Sequence, residues 1–159
     1  MIEWQWRTLE QLHSIDVYEM MLLRQQVFIL EQNCRYEDID GYDRHAYHLL
    51  GWQISGGQRQ LTAYLRCIAP GVKYSDMSLG RVLTRLEVRG SGVGKQLLEQ
   101  GIRQALLEYP GHAIRIGAQH HLERFYQDFG FQTVSAPYDE DGISHIDMRR
   151  ESGISAQPG

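Results

Sequence analysis

Arg89-Gly90-Ser91-Gly92-Val93-Gly94 is the stretch on which the reading of this chain turns. Before it lies a strand-like apolar run, Met77 to Thr84; after it, from Lys95 to Tyr109, apolar residues recur at helical spacing. A strand, a glycine-rich turn and a helix start make an anion-cradling device. Free backbone N–H groups and the positive end of the helix dipole point at whatever sits there. Glycines let the backbone come close to a phosphate with φ above zero, and Arg89 adds a fixed positive charge. Three glycines alone are equally consistent with a tight turn that holds no ligand.

Two common phosphate loops do not fit. A dinucleotide fingerprint needs G-x-G-x-x-G, and Gly92 and Gly94 are one residue too close; a P-loop needs G-x-x-x-x-G-K-[ST], and Lys95 is followed by Gln96 rather than a hydroxyl. The pattern that fits is Arg-x-x-Gly-x-Gly, met by Arg89, Gly92 and Gly94. It resembles the pyrophosphate-binding motif of the GNAT superfamily of acetyl-CoA-dependent N-acyltransferases. Downstream, Phe125-Tyr126-x-x-x-Gly130-Phe131 is similar to that family's second signature. Val27-Phe28-Ile29-Leu30-Glu31-Gln32, Asp38-Ile39-Asp40-Gly41 and Asp141-Gly142-Ile143-Ser144-His145 resemble its ElaA-like branch, with Ser144 where proline is usual. The resemblance runs from about Glu3 to Arg149.

Composition is compatible with such an enzyme. A chain of 159 residues is most simply one domain, expected over 1–151 with a flexible tail at 152–159. It can bury roughly 70% of its unfolded surface. A net charge of −4 and pI near 5.9 argue against nucleic-acid binding. No apolar run approaches a bilayer span, and the start of the chain lacks the pattern of a secretory leader. Two cysteines, Cys34 and Cys67, do not suggest a disulfide framework, so a cytoplasmic location is expected.

Periodicity predicts strands over Ile2–Arg7, Ala46–Ile54, Leu61–Ala69, Ser78–Thr84, Ala113–Gln119, 132–134 and Ile143–Arg149. Gly56-Gly57 marks a hairpin. Helices are expected from about Ser14 to Leu30, with Met20, Leu23, Val27 and Leu30 inward and Ser14 or Asp16 as cap, from Lys95 to Tyr109, and from Leu122 to Phe129. This is an α/β pattern with a mixed sheet. The GNAT fold implied by the resemblance is a mixed, mostly antiparallel sheet flanked by helices, with two central strands splayed around the pantetheine arm of CoA.

The resemblance also implies site residues. Arg89, Gly90, Ser91, Gly92, Val93, Gly94 and Lys95 would bind pyrophosphate. Val82, Leu83 and Thr84 would pair with pantetheine and supply an N–H to the thioester carbonyl, and Gln119 and Tyr126 join the cofactor residues. Tyr126 would protonate the leaving thiolate. An attacking amine must lose a proton, and Glu31, Asp38, Asp40, His48, Glu87 and His145 are candidate bases, with Glu31 and His145 preferred. Carboxylates at Glu31, Glu37, Asp38, Asp40 and Asp43, and at 139–141, either attract a cationic amine, with His48 beside them, or are solvated loops. His120-His121 lacks metal-site spacing, so no metal is expected. The expected activity is transfer of acetyl from acetyl-CoA to a primary amine of a small molecule or peptide, in a chain that can dimerise. The alternative is a CoA-binding sensor without turnover.

Overall fold

The structure is a computed structural model and describes residues 1–153. Residues 154–159, most of the expected tail, lie outside the described residues. The elements are β1 (Ile2–Thr8), α1 (Ser14–Arg24), β2 (Ala46–Ser55), β3 (Gln58–Ile68), β4 (Met77–Thr84), α2 (Val93–Glu108), β5 (Ile114–Gln119), α3 (Glu123–Gln127), β6 (Gln132–Thr133), β7 (Tyr138–Glu140) and β8 (Ile143–Arg150). They form one sheet in the order β1-β2-β3-β4-β5-β8-β6, with β7 also on β8. Among the described residues every strand pair is antiparallel except β4–β5, which needs the α2 crossover to run parallel.

The sheet is covered on both faces, which is why its central strands read as continuous apolar runs. On one face Leu49, Leu65 and Cys67 meet Leu97, Leu98, Ile102 and Ala105 of α2. On the other, Leu50, Trp52 and Tyr64 meet Met20 and Leu23 of α1. Gly56 and Gly57, at φ 59° and 76°, make the two-residue turn between β2 and β3 that the diglycine predicts.

The first helix departs from expectation. Its N-cap is His13, and Asp16 is instead buried in an ion pair with Arg59 at 2.6 Å. From Gln25 to Glu31 the chain continues as a π-helix, closed by Gln32 N–H donating to the Val27 carbonyl at 3.1 Å. The wider turn rotates Leu30 away from the inward stripe, leaving it 65% exposed, while Val27 and Phe28 stay buried.

Residues 32–42 have no regular structure, yet they are tightly held. Arg24 of α1 and Arg66 of β3 are almost wholly buried, positions where the apolar pattern would call for a hydrocarbon. Arg24 pairs with Asp38 at 2.9 Å and Asp43 at 2.7 Å; Arg66 pairs with Asp40 at 2.5 Å and Asp43 at 3.0 Å. Arg81 of β4 adds contacts to Asp38 at 2.8 Å and Asp40 at 3.2 Å. Three guanidinium groups against three carboxylates make a cluster of zero formal charge. Burial alone would raise the Asp40 pKa, but the Arg66 hydrogen bond and charge, the Tyr42 N–H and Arg81 outweigh it and hold it at about 2. Asp43 is lowered too, because Arg24 and Arg66 outweigh its burial.

The sign of the acid response follows. Asp40 and Asp43 titrate lower in the fold than unfolded, so below about pH 4 the unfolded chain binds more protons. Their contribution is complete above that pH and is lost as pH falls toward about 2. Urea unfolding at pH 7, 5, 4 and 3 should show stability falling most steeply at the acid end. Asp40→Asn should remove about 1–2 kcal/mol at pH 7 and flatten that acid slope. An acid slope identical in the variant would contradict the assignment.

Candidate active site

Strands β4 and β5 stay together for only two residue pairs, Met77 with Ile114 and Ser78 with Arg115. Beyond those pairs they part. The diverging segments, 79–84 and 116–119, line a cavity of about 600 Å³. Each strand keeps its outer partner: β4 pairs with β3, and β5 pairs with β8 along its length. Within β4, Gly80 faces Arg66 and Leu83 faces Tyr64, so Arg81 and Val82 stand opposite Leu65 alone. This is a β-bulge, with Arg81 at φ 52°. It bends β4 and takes a backbone unit out of the β3 ladder beside the cavity.

The glycine loop leads from β4 into α2. Gly90 and Gly92 have φ of 84° and 91°, a conformation side chains rarely adopt. Gly92 is the N-cap of α2. The first N–H groups of a helix have no carbonyl one turn back to bond. A Cβ built on Gly90, Gly92 or Gly94 meets nothing within 4 Å, so there is open space at the loop. The loop thus offers uncovered donors, a helix dipole and room, which fits a pyrophosphate. Arg89 donates to the Thr84 carbonyl at 2.9 and 3.2 Å and grips Glu31 with both terminal nitrogens, at 2.5 and 3.0 Å. Arg89 and Gly94 line the cavity; Gly90, Ser91, Gly92, Val93 and Lys95 do not. The Ser91 hydroxyl is turned back onto the Val88 carbonyl.

Val82, Leu83, Thr84, Gln119, Tyr126, Glu31 and His145 all line this one cavity. Tyr126 is 5% exposed and is wedged edge-on between Phe125 and Phe131, with centroids at 5.3 and 5.9 Å. Among the described residues nothing hydrogen-bonds its hydroxyl. Burial pushes its pKa up to about 12, so the phenol keeps its proton at neutral pH. His145 is nearly buried on β8, its Nδ1 2.8 Å from the Ile143 carbonyl.

Three expectations need correction. His48 does not line the cavity and is wholly buried: its Nδ1 lies 2.6 Å from the Tyr64 hydroxyl and its Nε2 3.0 Å from the Asp43 carbonyl. Burial lowers its pKa, so it is a neutral strut rather than a substrate group or base. Asp38 is likewise outside the cavity lining, and both Asp38 and Asp40 are neutralised by the arginine cluster, although Asp40 reaches the cavity wall. Glu87 is exposed and lies outside the lining.

Of the second acidic group, 139–141, Glu140 and Asp141 line the cavity, because Asp141-Gly142, at φ 53° and 84°, closes a two-residue hairpin between β7 and β8. The Asp-Gly dipeptide was the available signal. Lys73 lines the same cavity; burial and then the Arg66 charge lower its pKa, and its ammonium lies 5.6 Å from the Tyr74 ring centre. No pattern in the sequence marked it. Among the described residues, no three His, Cys, Asp or Glu side chains converge as a metal site, and no helix is long and apolar enough to cross a membrane.

Comparison with known proteins accords with this geometry. Residues 43–152 match the acetyltransferase (GNAT) domain family. The chain is 42% identical over 147 residues to the UPF0039 protein sll0451 of Synechocystis sp., covering 92% of this chain and 94% of the relative. It is 40% identical over 153 residues to protein ElaA of Escherichia coli, covering 95% and 97%. The crystal structure of E. coli ElaA superposes with a TM-score of 0.87 at 39% identity, over 95% of this chain and 100% of that one. An acyl-CoA N-acyltransferase from Pseudomonas aeruginosa gives 0.87 at 34% identity, over 94% and 99%. A splayed sheet, a glycine loop at a helix start and these relatives agree: the chain belongs to the GNAT acetyltransferase family, in its ElaA-like branch.

Proposed function

We propose that this protein transfers the acetyl group of acetyl-CoA to a primary amine by direct attack. One observation carries the reading: a single cavity runs from the glycine loop, between the parted β4 and β5, to the Tyr126 phenol. A long, thin cofactor with a diphosphate at one end and a thioester at the other suits that shape. The diphosphate would lie on the N–H groups from Gly92 to Lys95, with the α2 dipole behind them. The pantetheine arm carries amide groups that can pair with the inner edges of Val82–Thr84 and 116–119, as a strand would. The acetyl carbonyl would sit by the β4 bulge, where an N–H freed from the ladder can stabilise a developing oxyanion.

The chain then has three tasks. It holds thioester and amine at reacting distance, which lowers the barrier by making the encounter effectively intramolecular. It takes a proton from the ammonium, for which Glu31 and His145, the preferred candidates from the sequence, both line the cavity. It meets the departing thiolate with the Tyr126 O–H, which a pKa near 12 keeps intact across the working pH range.

Two variants test separate halves of this reading. Gly94→Glu adds a carboxylate at the start of α2, where no contact or backbone strain opposes it. Replacing a helical glycine and placing an anion at a helix N-terminus both favour the fold. The variant should therefore melt no lower than the parent, yet bind CoA at least about 30-fold more weakly by calorimetry. Undiminished CoA affinity would sink the phosphate-loop assignment. Tyr126→Phe should leave CoA affinity within about twofold and cut thiol release from acetyl-CoA, measured across a panel of primary amines, by about 100-fold. Parent-level turnover in the phenylalanine variant would remove Tyr126 from the chemistry. A parent that binds CoA but turns over with no amine would favour the sensor alternative.

A further inference from the structure

The β7–β8 hairpin assembles a proton-accepting pocket. The pairing registers Tyr138 with His145 and Glu140 with Ile143, so these four side chains share one face of the hairpin. Tyr138 stacks on the His145 ring, 6.0 Å between centres and 26° between planes, and its own hydroxyl is committed to Asp147 at 2.6 Å. The His145 Nδ1 lies 2.8 Å from the Ile143 carbonyl, which can only accept. Nδ1 therefore carries the proton of the neutral ring, and Nε2 carries the lone pair. His145 is 8% exposed, and among the described residues Nε2 has no hydrogen-bond partner. The nearest charge is a Glu140 carboxylate oxygen at 3.6 Å, too far for a hydrogen bond. Both groups line the cavity.

Two acceptors thus face each other with no donor between them. A group that brings several N–H donors and a positive charge would complete the arrangement. Glu31, the other candidate base, has both carboxylate oxygens held by Arg89.

Building on the acetyl-transfer reading, we infer that the acceptor is an aliphatic primary ammonium that docks between the Glu140 carboxylate and the lone pair of His145 Nε2. Glu140 holds the charge, and His145 takes one proton, which it later returns to solvent. The freed amine forms the N–C bond to the acetyl carbon. As the tetrahedral adduct collapses the C–S bond breaks and the thiolate receives the Tyr126 proton. The second proton lost from nitrogen restores the phenol through water. Overall, ammonium and thioester give amide, thiol and one proton. An acceptor without a charged N–H group leaves Glu140 and Nε2 unpaired and is disfavoured.

The test follows the ring nitrogens of His145 by 15N NMR in the full chain saturated with CoA, using n-butylammonium as probe and tetramethylammonium as a cation without N–H donors. The proposal expects a protonated Nδ1, a bare Nε2, and an Nε2 response to n-butylammonium only. Glu140→Gln, at an exposed position, should weaken that response by about threefold or more while Nδ1 stays protonated. A proton on Nε2 instead, an equal response to tetramethylammonium, or an undiminished response in Glu140→Gln would each overturn it. These outcomes are read with CoA already bound, so they fail the ammonium pocket without failing the cofactor site. Absence of CoA binding would fail both.

Discussion

The parting of β4 and β5 after two residue pairs is the constraint on which the rest of this molecule depends. A sheet interior normally satisfies every backbone group across the ladder. Here two central strands leave the inner edges of 79–84 and 116–119 facing a cavity instead of each other. The opening is affordable because each strand keeps an antiparallel partner on its outer side, interrupted only at the β4 bulge, and because α2 and α3 seal one face with Leu97, Leu98 and Tyr126. The strand that enters the loop, the loop that caps α2 and the helix that presents Tyr126 are all placed around that opening.

A second constraint keeps the cavity wall in place. Residues 32–42 have no ladder of their own, and charge holds them instead. Arg24, Arg66 and Arg81 come from a helix and two strands and converge on Asp38, Asp40 and Asp43. A buried ion cluster adds little net stability over a well-packed apolar one, yet removing one member leaves an uncompensated charge. Its value here is positional: it ties the loop, the bulge of β4 and the floor of β3 into one unit. The same neutralisation leaves Glu37, Glu140 and Asp141 as the cavity carboxylates outside the arginine cluster and the Arg89 pair.

The sheet, its order of helices and strands and the glycine loop were legible because each rests on local chemistry: two-residue alternation, helical spacing, and glycines where φ is positive. The ElaA-like signatures likewise pointed to the family that the comparisons show. The arginine pairing of Asp38, Asp40 and Asp43 within the acidic stretch was not legible, since carboxylates in a loop look solvated or substrate-facing until their partners are known. Those partners, Arg24 and Arg66, are distant in sequence, and their only mark was a charge on an otherwise apolar face. The π-helical turn that swings Leu30 outward has no sequence period of its own. The β7–β8 hairpin was signalled by Asp141-Gly142, but β7 is only three residues long and showed no alternation.

Amide hydrogen exchange with and without acetyl-CoA tests the central claim most directly. If the cofactor's arm takes the place of the missing strand pairing, acetyl-CoA should slow exchange of the inward-facing amides on both edges, 79–84 and 116–119, together with the amides of 92–95, while ATP slows none of the strand amides. Protection confined to 92–95, or absent from both strands, would mean that the gap between β4 and β5 is not where the cofactor lies.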